Sequence, residues 1–206
     1  AGMVFAVGEL VLYRSSDGTE LPARVQKVEY AKVPKDSGVR SNIWVRAGDD
    51  LIKSGTGDDM IIGGAGADDI WGGAGVDTAS YEGFADGVRV SLNAGRGWYG
   101  HAQGDELHEI ENLIGSDRQD TLIGNSAANM LEGGNADDIL NGLSGNDTIF
   151  GGNGDDNIVG GNGNDYISGD RHQDRLTGGA GEDIFAFLNI LDSGPANTER
   201  DNITDF

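Results

Sequence analysis

GGNGDDNIVGGNGNDYIS, residues 151–168, contains two consecutive copies of one nine-residue unit. The unit is G-G-x-G-x-D-x-U-x, where U is a bulky apolar residue. Glycine lacks a Cβ and adopts the positive φ angles of tight turns. The last three residues suit a short strand whose middle side chain points inward. Each unit therefore predicts one turn followed by one short strand.

The same register continues on both sides of this stretch. Eight units cover residues 115–186, and four more cover residues 45–80, the first of which has lost its leading glycines as end repeats often do. Such a regular pattern predicts a repeat fold whose core is built from the eighth positions. These residues are Ile52, Ile61, Ile70, Ala79, Leu122, Leu131, Leu140, Ile149, Ile158, Ile167, Leu176 and Phe185.

The composition indicates an acidic chain with a cationic partner. Glycine contributes 36 of 206 residues and proline only 3, without the G-X-Y period of collagen. The net charge is −21, and most of the acid lies in the repeats. Long-range repulsion then disfavours nucleic acids and anionic membranes. The sequence contains no cysteine and no apolar run of about 18 residues, so disulfides, thiolate metal sites and a membrane span are not predicted.

The period predicts how the units pack. We expect alternate units on opposite sides of a flattened coil, with about eighteen residues per turn and parallel strands about 4.8 Å apart. The predicted fold class is all-β, a parallel β-roll (right-handed β-helix). One apolar side chain per unit is a thin core for so many glycines that must be ordered. A bound ligand is therefore expected to add stability.

The aspartate at the sixth position predicts cation sites in the turns. Each carboxylate should stack near the one two units later, and the two would repel without a cation between them. Ca²⁺ accepts several oxygen ligands in irregular geometry, whereas Mg²⁺ prefers a tight octahedron and Zn²⁺ prefers nitrogen or sulfur. We expect about six to eight Ca²⁺ ions. The predicted carboxylate ligands are Asp50, Asp59, Asp68, Asp77, Asp120, Asp138, Asp147, Asp156, Asp165, Asp174 and Asp183.

Backbone carbonyls at the second and fourth positions are predicted to join these carboxylates as ligands. Glycine at the first, second and fourth positions is expected to allow positive φ and to let the carbonyls point inward. The predicted carbonyl ligands are those of Gly64, Gly66, Gly73, Gly75, Gly152, Gly154, Gly161 and Gly163. The expected carboxylate pairs are Asp50 with Asp68, Asp59 with Asp77, Asp120 with Asp138, Asp138 with Asp156, Asp147 with Asp165, Asp156 with Asp174, and Asp165 with Asp183.

Two units predict weaker sites. Asn129 replaces the carboxylate in residues 124–132, and residues 169–177 lack two of the glycines and carry arginines beside Asp174. Fifth-position residues are expected to face solvent or to brace the turns. They are Asp49, Asp58, Asp137, Asp155, Asn146 and Asn164.

Residues 45–186 resemble the RTX, or haemolysin-type, calcium-binding repeats of bacterial proteins exported by type I secretion. Residues 77–116 look like the interruption common in such arrays. The stretches GEDIFAF at 181–187 and DNITDF at 201–206 are similar to the roll exit of serralysin-type proteases and mannuronan C5-epimerases. The resemblance implies a parallel β-roll that is secreted to the outside of the cell and meets millimolar calcium there.

Domain boundaries are expected where the register starts and stops. Residues 1–44 alternate without the repeat, which favours a small SH3- or Tudor-like barrel or a cap on the roll. Residues 45–80 and 115–186 are the two repeat blocks, and residues 187–206 are an exit that ends within a strand, as in a truncated fragment. The aromatic residues that would lie on the barrel or in the cap are Phe5, Tyr13, Tyr30 and Trp44.

The interruption, residues 81–114, is expected to contain a strand at 87–92 and a second strand or helical turn at 106–113. Between them we expect a glycine-rich mobile loop with Trp98, Tyr99 and His101.

Motifs for catalysis are missing from the sequence. His108 and Glu109 are not followed by the second histidine of H-E-x-x-H, and neither G-x-S-x-G nor a P-loop occurs. His101, His108 and His172 are expected to be surface or turn residues. We therefore predict a non-catalytic calcium-binding module that stabilises or displays an attached domain.

The alternative is a module that binds an acidic polysaccharide such as a polyuronate, because of the cluster Arg89, Arg96, Trp98 and Tyr99. An ice-binding roll would need a flat face of repeated threonine or asparagine, but Thr56 is the only threonine at a third position and the seventh and ninth positions vary widely. The sequence does not specify an oligomeric state.

Overall fold

The computed structural model of the chain describes residues 28–29, 42–44, 47–187 and 201–205. The choice between a barrel and a cap for residues 1–44 lies outside the described residues, apart from two short strands. Phe5, Tyr13 and Tyr30 also lie outside them. In the described part of the chain, no helix is long and apolar enough to cross a membrane.

The described residues form short strands and one 3₁₀ turn, Gly100–Ala102. In chain order the strands are β1 (Val28–Glu29), β2 (Asn42–Trp44), β3 (Leu51–Thr56), β4 (Met60–Ile62), β5 (Asp69–Ala74), β6 (Thr78–Ser80), β7 (Arg89–Ser91), β8 (Arg96–Trp98), β9 (Glu106–His108), β10 (Asn112–Ile114), β11 (Thr121–Ile123), β12 (Met130–Asn135), β13 (Ile139–Ser144), β14 (Thr148–Asn153), β15 (Asn157–Asn162), β16 (Tyr166–Arg171), β17 (Arg175–Ala180), β18 (Ile184–Phe185) and β19 (Asn202–Ile203).

The strands form two sheets, and successive repeat units alternate between them. Sheet one has 11 strands in the order β1-β3-β5-β9-β8-β7-β11-β13-β15-β17-β19. Sheet two has 8 strands in the order β18-β16-β14-β12-β10-β6-β4-β2. Within the repeat blocks the pairing is parallel, so that Leu140 lies opposite Ile158 and Ile158 opposite Leu176. This is the predicted eighteen-residue coil, and the all-β parallel β-roll of about 8 turns is confirmed.

The core consists of the eighth-position side chains, as the period predicts. Eleven of them are at most 1% exposed, and the twelfth, Phe185, is half-buried against the others. The coil also extends one unit before the repeats, because Ile43, 2% exposed, lies opposite Ile61. A one-residue slip would turn every core residue outward, so the parallel register is strongly fixed by this row.

The strands of the full repeats are longer than the predicted three residues. β13 covers six residues and pairs with β15 from Ile139 through Ser144, which includes the second and third positions of the next unit. The turn residues therefore also take part in the ladder. The three-residue prediction is wrong because these turns stack on the coils above and below and form hydrogen bonds there.

The interruption joins sheet one as a block of three strands. β7 continues the ladder to β11, β9 continues the ladder to β5, and β8 lies antiparallel between them. In sheet two, β6 pairs directly with β10, so the coil closes without an inserted strand there. The interruption therefore adds strands to one side of the roll only.

Two expectations for the interruption need correction. The segment around Trp98 is not a loop, because Arg96–Trp98 is a strand paired on both sides and Ala102 is fully buried. Residues 106–113 are neither one strand nor a helical turn. They contribute to β9 and β10 in different sheets, and Glu109 makes the corner with a φ of 55°. The predicted strand at 87–92 is confirmed as β7.

Glycine has two different roles in the turns. At the second and fourth positions the φ angles are positive, for example 113° at Gly152 and 141° at Gly154. Gly151, at the first position, is not in this region, so the prediction of positive φ is wrong there. A Cβ on Gly151 would overlap Oδ2 of Asp156 and the carbonyl of Gly169. The first glycine is therefore needed for space.

Some turns adopt the same backbone without glycine. Ala136, at a fourth position, has a φ of 76°, and Leu143, at a second position, has a φ of 74°. Left-handed conformations cost roughly 1–2 kcal/mol for residues with a Cβ. These two turns therefore carry backbone strain that glycine would relieve.

We expect Ala136→Gly to stabilise the roll by about 1 kcal/mol, since it removes that strain and almost no side chain. The matched control is Gly154→Ala, the same position one coil further on, where a Cβ would overlap the Ala136 carbonyl. Thermal unfolding in one buffer should show a higher midpoint for Ala136→Gly and a lower one for Gly154→Ala. A lower midpoint for Ala136→Gly would contradict the assigned strain.

Candidate metal centre

The sixth-position aspartates are buried and link each coil to the next. Asp138, Asp156 and Asp174 are 1–2% exposed. The backbone amide of Asp138 donates to Oδ1 of Asp156 at 2.8 Å, and the amide of Asp156 donates to Oδ1 of Asp174 at 2.8 Å. The same bond, at 2.8–3.0 Å, joins Asp50 to Asp68, Asp59 to Asp77, Asp120 to Asp138, Asn129 to Asp147, Asp147 to Asp165, and Asp165 to Asp183.

The second oxygen of most of these carboxylates is buried without a donor. It has no hydrogen-bond partner among the described residues, although polar atoms buried in proteins are nearly always paired. A buried acceptor without a donor is destabilising, and more so when it is charged. Such oxygens are Oδ1 of Asp50 and Oδ2 of Asp59, Asp68, Asp77, Asp138, Asp147, Asp156, Asp165 and Asp174.

In the units that begin with glycine, these oxygens face small cradles beside the first-position glycine. Around the missing Cβ of Gly151 lie Oδ2 of Asp156 and the carbonyl oxygen of Gly169, which belongs to the next coil. The same arrangement recurs at Gly133, Gly142 and Gly160. A carboxylate and a backbone carbonyl thus converge in a space that a side chain would fill. The carbonyls of the second and fourth positions, predicted as further ligands, remain predictions.

Burial makes the negative charge on these carboxyls unfavourable. It is the largest cause that raises the pKa of Asp156 to about 8, and the nearby carboxylates of Asp174 and Asp138 raise it further. Burial also raises the pKa to about 7 in Asp68, Asp138 and Asp174 and to about 6 in Asp77 and Asp147. A cation beside each carboxylate would offset this unfavourable charge.

In two turns at the start of the second block, protein groups donate hydrogen bonds to the oxygens of the sixth-position side chain. Asp120 accepts hydrogen bonds from the amides of Val88 and Ser116 at 2.6 and 2.5 Å and from the Ser116 hydroxyl at 2.9 Å. Asn129 accepts from the Asn125 amide at 2.8 Å and donates to the Glu111 carbonyl at 2.8 Å. The structure therefore distinguishes Asp120 from the other predicted ligands and agrees with a weak or empty site at Asn129.

Two residues of the interruption occupy sixth positions that the nine-residue register misses. Oδ1 of Asp105 accepts from the Asp68 amide at 2.9 Å, and its Oδ2 accepts from the buried Tyr81 hydroxyl at 2.9 Å. Glu111 accepts from the Asp77 amide at 2.8 Å. Both are followed two residues later by a buried leucine, Leu107 or Leu113. The acidic-x-apolar triplet is the sequence signal that could have found them.

The fifth-position residues brace the turns, as predicted. Oδ1 of Asp137 accepts from the amide of Asp155 at 2.9 Å, and Oδ1 of Asp155 accepts from the amide of Gln173 at 3.1 Å. These side chains are exposed and link the same position in successive coils. The remaining examples are Asp49, Asp58, Asn146 and Asn164.

The residues of the polysaccharide alternative lie on the paired strands β7 and β8 and at the residue that follows β8. The guanidinium of Arg89 lies over the Trp98 ring at 5.4 Å from its centroid, and Arg96 forms an ion pair with Glu106 at 3.7 Å. Tyr99 is 66% exposed. The polysaccharide alternative stays a prediction.

Two of the three histidines lie where the sequence predicts. His101 stacks on Phe84 with ring centroids 4.0 Å apart, in the 3₁₀ turn of the interruption. His172 lies in a repeat turn, where its Nδ1 accepts from the Gly154 amide at 3.2 Å. Packing explains the position of the His101 ring and turn structure that of His172, while Nδ1 of His101 is buried without a hydrogen-bond partner among the described residues.

The donor set of the cradles is made of oxygen atoms only. Carboxylate and carbonyl oxygens in an adaptable turn are the ligands that Ca²⁺ takes in proteins, whereas Zn²⁺ sites use imidazole or thiolate. The residues in the cradles therefore fit Ca²⁺.

A family model for the RTX calcium-binding nonapeptide repeat, in four copies, matches residues 44–79, 114–149 and 150–185. No curated protein matches the chain. The matched segments cover more than half of the sequence and contain the buried sixth-position aspartates of both repeat blocks. The chain belongs to the family of RTX calcium-binding nonapeptide repeats.

Proposed function

We propose that this chain is a calcium-binding β-roll module of a secreted protein, and that it folds on binding Ca²⁺ outside the cell and stabilises or displays a neighbouring domain. The observation that carries the proposal is the recurrence, every nine residues within the repeat blocks, of a buried carboxylate oxygen without a donor, in most units beside a glycine cradle. Its role is then structural and not catalytic.

The residues that would hold Ca²⁺ are the sixth-position aspartates whose second oxygen lacks a donor. In the second block these are Asp138, Asp147, Asp156, Asp165 and Asp174. For the first four of them, the carbonyl of a first-position glycine lies close by. The turns at Asp120 and Asn129 are filled by protein donors, which favours the lower end of the predicted range of about six to eight ions. Bound Ca²⁺ would supply the positive charge that the buried carboxylates lack.

Calcium binding is proposed to drive folding because the core is thin. Each unit buries about one apolar side chain, while all nine of its backbone residues must be ordered on folding. A bound cation that neutralises the buried carboxylates would supply further stability. Binding energy then becomes folding energy, as in other small metal-dependent domains.

An extracellular location follows from the same chemistry. Extracellular Ca²⁺ modules bind weakly, with dissociation constants of about 10⁻⁴–10⁻³ M, which keeps them empty at the low calcium of the cytosol. A chain without cysteine lacks the disulfides that stabilise many small secreted domains. Calcium would take over that stabilising role after export, and type I secretion is the route that the family resemblance implies.

The middle of the roll is proposed to depend least on calcium. From β6 to β12 the sixth-position groups are Asp105, Glu111, Asp120 and Asn129, and none of these four side chains has an oxygen that is buried without a hydrogen-bond partner. The two flanking segments carry the oxygens without donors. The roll would then consist of a central segment held by protein contacts and two calcium-dependent segments.

Asp156→Asn is expected to raise the calcium concentration at the folding midpoint by roughly tenfold, because it removes one charged ligand. The asparagine can still accept the Asp138 amide, so the bond between coils is kept. The measurement is the far-UV circular dichroism of the chain during a Ca²⁺ titration from EDTA.

The matched control is Asp155→Asn, which makes the same change in charge at the adjacent residue. Asp155 is exposed and accepts a hydrogen bond from the Gln173 amide. The calcium concentration at the folding midpoint of Asp155→Asn should therefore change by less than about twofold, the size of a surface charge effect. Equal midpoints for the two variants, or the same β content in EDTA and in millimolar Ca²⁺, would contradict the proposal.

Stepwise removal of calcium should loosen the roll in a defined order. Amide hydrogen exchange, measured by mass spectrometry at decreasing Ca²⁺, is expected to rise first in residues 47–77 and 133–183 and last in residues 78–132. The physical reason is that only the flanking segments lose the charge that balances their buried carboxylates. Earlier exchange in residues 78–132 would rule out a calcium-independent middle.

Without metal, the roll should be favoured by mild acid. The folded-state pKa of seven aspartates is raised to between about 6 and about 8, above the unfolded value near 4. An acid with a raised folded pKa stabilises the fold below its unfolded pKa, and this stability is lost as pH rises through the folded pKa. In EDTA, β content should therefore increase as pH falls from 8 towards 5.

Circular dichroism at fixed EDTA measures this effect, and the series should stop above the isoelectric point of about 4.1. With saturating Ca²⁺ the trend should reverse, because protons and Ca²⁺ compete for the same oxygens. A metal-free chain that loses β structure between pH 8 and pH 5 would contradict the assigned burial of these carboxyls.

A further inference from the structure

A second cluster of ligating side chains lies on the outer face of sheet one, away from the calcium turns. β5 pairs with β9 so that Asp69 lies opposite Glu106, and Trp71 lies opposite His108. One ligand atom each from Asp69, Glu106 and His108 lies within 4.8 Å of the other two. Nε2 of His108 is 3.2 Å from Oδ1 of Asp69 and 3.9 Å from Oε2 of Glu106.

Each of the three side chains is held in place by a neighbour. Nε1 of Trp71 donates to Oδ1 of Asp69 at 2.7 Å. The His108 ring stacks on the Trp71 ring, with centroids 4.1 Å apart and an angle of 18° between planes. Arg96 lies 3.7 Å from Oε1 of Glu106, which leaves Oε2 on the side of His108. Such outer contacts orient ligands and are typical of sites that bind metal tightly.

We propose that Asp69, Glu106 and His108 form a site for a borderline divalent cation of the Zn²⁺ class. One imidazole nitrogen and two carboxylates are three protein ligands, which leaves a fourth tetrahedral position for water. The imidazole selects against Ca²⁺, which takes oxygen ligands, so this site and the calcium turns bind different ions. The site would join the interruption to the first repeat block, because β9 supplies two ligands and β5 the third.

The location distinguishes this cluster from the repeat chemistry. Asp69 is at a seventh position, so its side chain points outward from the sheet, whereas the sixth-position Asp68 is 1% exposed in the turn. Glu106 and His108 reach it only because the interruption inserts β9 beside β5. The proposed Zn²⁺ site is therefore a property of the interruption, and it is separate from the proposed calcium function.

Isothermal titration of Zn²⁺ into the tag-free chain tests the site, with Ca²⁺ kept at a saturating millimolar concentration. One Zn²⁺ per chain is expected, with a micromolar dissociation constant that excess Ca²⁺ does not change. Tryptophan fluorescence should change in parallel, since Trp71 contacts both Asp69 and His108. The far-UV spectrum before titration verifies that the roll is folded, so failure to fold with calcium is distinguishable from failure to bind zinc.

Two variants locate the site, and a third is the control. His108→Ala and Asp69→Asn should each weaken Zn²⁺ binding by at least about tenfold, the minimum seen when even an outer contact of a metal site is lost. Asp69→Asn keeps the oxygen that accepts the Trp71 indole. His172→Ala, which removes a turn histidine in the second block, should leave the affinity unchanged. The proposal is overturned if the parent chain binds no Zn²⁺, if both site variants bind it equally well, or if only His172→Ala loses it.

Discussion

The hydrogen bond from a sixth-position amide to the carboxylate eighteen residues later is the interaction on which this fold depends. It fixes the register of the coils and orients the carboxylate so that its other oxygen points into the turn. That oxygen needs space, which is why Gly151 and the other first-position glycines have no side chain. It also needs a positive partner, which the turn itself does not supply. Register, glycine content and cation dependence therefore have one common cause.

The interruption and the start of the second block meet the same constraint with protein groups. Tyr81 donates its hydroxyl to Asp105, and Ser116 donates its amide and hydroxyl to Asp120. The hydroxyl of Tyr81 can be buried at little cost in free energy, because the Asp105 carboxylate accepts its hydrogen bond. The chain thus contains two ways to satisfy a buried carboxylate, and calcium dependence is unevenly distributed along the roll. In a purely periodic array every turn would respond to the ion in the same way.

The nine-residue period predicted the roll, the alternation between sheets and the buried row because each of these depends only on local spacing. It did not predict Asp105 or Glu111, since the coil between β6 and β10 contains 34 residues and the period is lost within it. What persists there is an acidic residue two places before a buried leucine. The strand at Trp98 was also missed, because antiparallel pairing with β7 and β9 depends on partners that local sequence does not identify. The nine-residue period is thus a good predictor only where each unit packs against other copies of the same unit.

The hydrogen bonds between sixth-position residues also determine how ion binding at one turn affects another turn. Asp138, Asp156 and Asp174 form one line of hydrogen bonds along one edge of the roll, and Asp147, Asp165 and Asp183 form another along the opposite edge. Within a line, each carboxylate fixes the amide of the coil before it, so an ion bound at one turn orders the next. Between the lines, the described residues make contact through the apolar row at the eighth positions and through the chain that joins successive units. Coupling should therefore be stronger along an edge than across the roll, and the order of ion binding should follow the edges.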